Sequence, residues 1–159
     1  MTISLRVTKP AEFDQYLEHA IKNFADKKIK YGIWKQRQAI NKSEEEHRQL
    51  LPNGLSTDNH YFYTICKGDM AVGMVWLAKK SDHNGFIYDI NILKKHQGKG
   101  YGKLAMKQIE MLARESGLNV IELHVFGHNQ VARRLYEQLG YIETNIKMKK
   151  GYKPTLCQN

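Results

Sequence analysis

Apolar positions recur along the chain with two different periods, and the switches between them outline a mixed α/β fold. Residues 3–7 alternate as a strand does and run into Pro10, whose fixed φ suits the first turn of a helix. Phe13, Tyr16, Leu17, Ala20, Ile21 and Phe24 then recur at helical spacing, which predicts an amphipathic helix. A second helical stretch covers 34–50. Within it Ser43 and Glu46 form a capping-box pattern that could start a separate helix, and Pro52-Asn53-Gly54 ends it either way.

Residues 61–67 and 70–79 are rich in aromatic and β-branched side chains and are separated by Gly68-Asp69, a pattern that predicts a hairpin. After a polar loop from Ser81 to Gly85, the mostly apolar run 86–93 predicts a strand inside the sheet. A cluster of glycines follows. Immediately after it, Ala105, Ile109, Leu112 and Ala113 mark one face of a helix that Ser116-Gly117 stops. Residues 120–126 alternate as another strand. The last helix has Asn129 as N-cap, Ala132, Leu135, Tyr136 and Leu139 on one face and Gly140 as its C′ residue. A strand over 141–148 is expected to close the fold. No repeat, low-complexity segment or linker interrupts residues 1–159, so a single domain is expected.

Composition supports a packed core: the chain has 159 residues, 42% of them apolar. No apolar run approaches the roughly 18 to 20 residues that cross a bilayer, and residues 1–8 lack the order of a secretion signal. Cys66 and Cys157 form no CxxC pair. A soluble, cytoplasmic protein with reduced thiols and no membrane partner is expected. The 25 Lys and Arg exceed the 16 Asp and Glu, giving a net charge of +9 that draws in nucleic acid and phosphorylated cofactors alike. The charge is spread over several segments, and no helix carries a dense Lys/Arg stripe with polar base-reading residues, which argues against a nucleic-acid partner.

Gly98, Gly100 and Gly102 stand at alternate positions where a strand gives way to a helix. There, unpaired amides and the helix dipole favour an anion, and glycine lets a phosphate come close, although such glycines can also serve only as a tight connection. Lys99 and Lys103 add positive charge. A P-loop is ruled out because Gly102-Lys103 is followed by Leu104 and Gly98 is misplaced; the dinucleotide fingerprint fails at Lys103. His124 and His128 are four residues apart, but Gly127 intervenes where a strand ends, so no metal site is expected.

The run Gln97-Gly98-Lys99-Gly100-Tyr101-Gly102 resembles the pyrophosphate loop, Gln/Arg-x-x-Gly-x-Gly/Ala, of the GCN5-related N-acetyltransferase (GNAT) family. The preceding segment Tyr88-Asp89-Ile90-Asn91-Ile92-Leu93 looks like that family's fourth strand. The segment from Leu123 through Asn129, Ala132, Tyr136 and Gly140-Tyr141 looks like its second cofactor motif, and the whole is similar to small uncharacterised bacillus-type members.

This resemblance implies a three-layer sandwich with a mixed, mostly antiparallel sheet of about six to seven strands, helices on both faces and splayed parallel central strands. It also implies an acetyl-CoA-binding core over 86–148 and an acceptor side over the helices of 10–51. Ile92 and Leu93 would offer main-chain groups to the pantetheine arm, and the amides of Gln97, Gly98, Lys99, Gly100, Tyr101 and Gly102 would hold the pyrophosphate. Asn129, Ala132 and Tyr136 would complete the cofactor contacts. Tyr136 would protonate the departing CoA thiolate, a role suited to a phenol of pKa about 10.

The expected reaction is direct attack of a primary amine on the thioester in a ternary complex. Asp89 leads Tyr88, Glu122 and His124 as the base that deprotonates the amine. The acceptor is expected to be a small-molecule or peptide amine, the protein a homodimer by default. The alternative is a non-catalytic acyl-CoA sensor on the same fold.

Overall fold

The computed structural model describes residues 2–152; Cys157 therefore lies outside the described residues. Two compact units form, one up to His124 and one from Val125 onward. The first unit holds β1 (Ser4–Val7), α1 (Pro10–Lys30), α2 (Gln36–Leu50), β2 (His60–Lys67), β3 (Met70–Lys79), β4 (Asn84–Ile92), α3 (Tyr101–Glu115) and β5 (Val120–Leu123). Its five-stranded sheet has the order β1-β2-β3-β4-β5, antiparallel throughout except for the parallel pair β4–β5. That mixed sheet is the expected class, with fewer strands than the six to seven expected.

Helix α1 begins at Pro10 because the missing proline N–H costs nothing in a first turn, and Glu12 accepts the Lys9 amide at 2.9 Å. The same carboxylate takes two hydrogen bonds from the Arg6 guanidinium at 2.7 and 2.8 Å, tying the helix start to β1. Those bonds, helped by the Lys9 amide, hold the Glu12 pKa at about 2, against an ordinary 4.5. A depressed carboxylate stabilises the fold above its unfolded pKa and loses that contribution as pH falls through its folded one. Glu12→Gln is therefore expected to cost about 1 kcal/mol at neutral pH after solvent screening of the part-exposed pair. Denaturant melts should show the difference fading between pH 4.5 and 2.

The apolar face of α1 lies on the sheet. Phe13, Tyr16 and Ala20 pack with Phe62, Met74 and Trp76, with the Phe13 ring edge-on to Phe62 at 4.9 Å. Helix α2 is unbroken across the capping-box pattern at Ser43, because the Ser43 hydroxyl donates to the Ile21 carbonyl of α1 at 2.6 Å instead of capping. Leu77, of opposite parity to Trp76, faces the other side of the sheet. There it converges with Leu118, just past α3, on Gly85, where a Cβ would sit 2.9 Å from Leu118. On that side α3 buries Ala105, Met106, Ile109 and Ala113.

One irregularity matters for the site. Trp76 pairs with Asp89 and Leu77 with Ile87, so Tyr88 is an extra residue in β4, a β-bulge. Tyr88 and Asp89 consequently share the α1 side: the Tyr88 ring stacks on Trp76 at 4.7 Å, and Asp89 meets Tyr16.

The second unit contains α4 (Gln130–Gln138), with the Asn129 side chain accepting the Ala132 amide at 3.1 Å. Arg133 fastens the segments around this helix, donating to the Gly127 carbonyl at 3.1 Å and pairing with Glu143 at 2.5 Å. Residues 141–148, expected as a strand, have no regular secondary structure, and β5 stops at Leu123 rather than 126. A strand exists only through ladder partners, and α4 is the sole regular element that this unit offers among the described residues.

Candidate acetyl-CoA site

Strand β4 outruns its parallel neighbour. Pairing with β5 ends at Ile87 and Leu123, while β4 continues five residues to Ile92. The Leu93 amide donates to the Val72 carbonyl at 2.9 Å, which makes Ile92 and Gly73 a non-hydrogen-bonded pair. The main-chain groups of Ile92, and by alternation those of Ile90, therefore point away from β3, along the strand side that β5 leaves open. Leu93 differs from the expectation in one respect, since its own amide is already engaged. Gly73 permits this geometry: a Cβ there would lie 2.3 Å from the Asn91 carbonyl oxygen.

Past a 3-10 turn at Lys94–His96 the chain enters the glycine loop. Gly98 and Gly100 have φ of 77° and 82°, the left-handed region in which side-chain-bearing residues are strained. Gly102 needs no such freedom and sits in the first turn of α3. The outcome is a row of six consecutive amides, from Gly98 to Lys103, that donate to no protein acceptor among the described residues. A Cβ built at Gly98 or Gly100 meets nothing within 4 Å, so the loop is open to a large anion. Six free amides at a helix N-terminus fit a diphosphate in number and in charge.

Two side chains shape this loop. Gln97 turns back and donates from Nε2 to the Ile92 carbonyl at 2.9 Å, linking the loop to the end of β4. Its own amide, which the family resemblance assigns to the pyrophosphate, is instead engaged with the Lys94 carbonyl at 3.3 Å. His96 is buried at 7% exposure, and neither ring nitrogen has a hydrogen-bond partner among the described residues. Burial, then the positive field of Lys95, Lys99 and Lys67, holds its pKa below the ordinary 6.5. That field is the one a diphosphate would meet. The Tyr101 ring is buried beneath the loop, with Lys67 Nζ 5.8 Å from its centre.

Asp89 lies on the same strand, partly buried, with Tyr16 Oη donating to Oδ2 at 2.6 Å. Burial pushes its pKa up; the Tyr16 hydrogen bond and the charges of Lys27, His47 and His19 oppose this. Tyr16 is raised well above 10 by burial and by the Asp89 charge, so the phenol is always the donor. Of the other candidate bases, Tyr88 is held by Lys80 at 2.5 Å, while Glu122 and His124 lie on or beside β5.

In the second unit, the Asn129 oxygen and the Ala132 amide are used in capping α4. Tyr136 is partly buried on that helix, its ring 5.8 Å from Tyr141. Glu45, in the acidic run 44–46, pairs with Arg48 on an exposed face. Among the described residues no group of three His, Cys, Asp or Glu side chains could hold a metal ion, and no helix is long and apolar enough to cross a membrane.

The acetyltransferase (GNAT) family model matches residues 27–141. The chain is 38% identical over 154 residues to the uncharacterized N-acetyltransferase YycN of Bacillus subtilis, covering 94% of this chain and 99% of that protein. It is 35% identical to YdgE of the same organism, over 94% and 98% of the two chains. The crystal structure of YycN superposes with a TM-score of 0.92 at 36% identity, covering 96% of this chain and all of the other. A paiA N-acetyltransferase from Thermoplasma acidophilum, in complex with coenzyme A, shares the fold at 16% identity, with a TM-score of 0.68 over 92% and 94% of the chains. With two relatives matched over nearly their whole length, an open β4 edge and a loop of free amides, this chain belongs to the GNAT acetyltransferase family, whose members carry out acyl-CoA-dependent acetyl transfer.

Proposed function

We propose that the protein transfers an acetyl group from acetyl-CoA to a primary amine by direct attack in a ternary complex. The observation that carries this reading is the row of free amides from Gly98 to Lys103 beside the unpaired end of β4. These amides, with Lys99 nearby, would hold the pyrophosphate, and the main chain of Ile92 would meet the pantetheine arm, with Gln97 bracing its carbonyl. Acetyl-CoA supplies an activated thioester. Asp89, ionised, takes the proton that an ammonium acceptor must lose before it can attack. Asn129 and Ala132 are assigned to the cofactor by the family motif alone, as is Tyr136, which gives its phenolic proton to the departing thiolate. Residues 1–159 are read as one acetyltransferase domain, and the enzyme as cytoplasmic.

The acceptor is a small-molecule or peptide amine. The net charge of +9 disfavours polycationic acceptors, because the amine would approach against a positive field. Release of free CoA thiol from acetyl-CoA, measured with glycine, a Ser-Ala-led peptide, an internal-lysine peptide and spermidine, tests the reading. Turnover with any of them excludes a non-catalytic sensor; tight acetyl-CoA binding with none turned over favours it.

Tyr136→Phe separates acid catalysis from binding. Turnover at saturating acetyl-CoA is expected to fall about 100-fold while the calorimetric Kd stays within about twofold. Unchanged turnover would remove Tyr136 from the mechanism.

A further inference from the structure

The base assigned above has a partner on a different element that no motif identifies. Tyr16 lies on the buried face of α1, 73 residues from Asp89 in sequence, and its hydroxyl donates to Asp89 Oδ2 at 2.6 Å. Its ring is fixed by the core, 6.1 Å from Phe62 within the cluster formed with Phe13 and Trp76. The β4 bulge turns Asp89 toward this hydroxyl. Oδ1 of the same carboxylate accepts no hydrogen bond from any described residue, so one oxygen is occupied and the other is left to react.

We propose that Tyr16 is a positioning residue for proton transfer: by donating to Oδ2 it orients the Asp89 carboxylate and leaves Oδ1 to receive the acceptor's proton. This rests on the reading of Asp89 as the base. In the step, the N–H bond of the ammonium breaks and an Oδ1–H bond forms. The nitrogen keeps the electron pair it then uses on the thioester, and Asp89 becomes a neutral acid. Tyr16 keeps its own proton throughout, since burial and the Asp89 charge both oppose its ionisation.

The groups facing Asp89 are Tyr16, His19 and Lys27 from α1 and His47 from α2, and each favours the ionised carboxylate. Trp76, opposite on β3, is uncharged, and Tyr88 adjoins on β4. Removing the Tyr16 hydroxyl takes away one of these stabilising groups and none of the opposing burial. The Asp89 titration must then move to higher pH, a change that loss of packing alone does not dictate.

The test is carboxyl-carbon NMR on the full chain, with aspartate labelled at the side-chain carboxyl and Asp89 assigned through Asp89→Asn. Tyr16→Phe keeps the ring and is expected to raise the Asp89 midpoint; an unchanged or lowered midpoint overturns the proposal. In the wild-type protein, which needs no variant to fold, the Tyr16 ring carbon bonded to oxygen should shift in step with the Asp89 carboxyl. Independent behaviour of the two signals also overturns it. Turnover by Asp89→Asn decides separately whether Asp89 is the base, so the two readings can fail apart from each other.

Discussion

Gly100→Asp is expected to abolish measurable acetyl-CoA binding while the protein still folds. Gly100 has a φ of 82°, and aspartate is among the few residues that tolerate that region. A Cβ there meets no other atom within 4 Å, so the substitution adds side chain to open space rather than to the core. The new carboxylate would stand among the amides proposed to hold the diphosphate. Two like charges about 4 Å apart interact by roughly 4 kcal/mol at an effective dielectric near 20, and solvent at this exposed loop reduces that figure. A loss of at least about 100-fold in affinity is expected by calorimetry. Gly100→Ala, carrying only the backbone strain, should lose far less. Equal losses in the two variants would assign the effect to loop conformation, and unaltered binding in Gly100→Asp would place the cofactor elsewhere.

Asp89→Asn is expected to lower kcat by about 100-fold to 1000-fold without changing the Kd for acetyl-CoA. Asparagine keeps the volume and an oxygen for the Tyr16 hydroxyl but cannot take a proton. If Asp89 is the base, the wild-type rate should also fall as pH drops, because only the ionised form takes a proton and burial has moved its pKa above the ordinary 3.8. The variant should lack that acid limb. Stopped-time assays of thiol release across the pH range check both statements, and a normal rate in Asp89→Asn would pass the role of base to another group or to water.

Much of the fold was legible because it is written in local periodicity. The face Phe13, Tyr16, Leu17 and Ala20 announced α1, and the turn at Gly68-Asp69 announced the hairpin of β2 and β3. The strand expected over 141–148 was not legible, since alternation states only that a segment can pair, not that a partner is at hand. Ser43 shows the same limit within a helix: its capping pattern was cancelled by a carbonyl on α1 that no local reading could place beside it.

The site divides along similar lines. The glycine loop was readable because two left-handed residues and a row of free amides are properties of a short continuous segment. Tyr16 reads in the sequence as one more apolar position on a helix, for the spacing that buries a ring says nothing about where its hydroxyl lands. The Gln97 brace on Ile92 and the close approach at Gly73 were hidden for the same reason, each depending on a backbone atom of β4.

The extra residue at Tyr88 gives β4 two phases of alternation. Up to Ile87 the odd positions face α3; from Asp89 onward the odd positions face α1. Deleting either Tyr88 or Asp89 would merge the two phases and keep both flanking pairs in register, whereas deleting a residue elsewhere in the interior of the strand would turn part of it inside out. The strand therefore has one place where its length can change by a residue without exchanging its two faces, and that place is the bulge that includes Asp89.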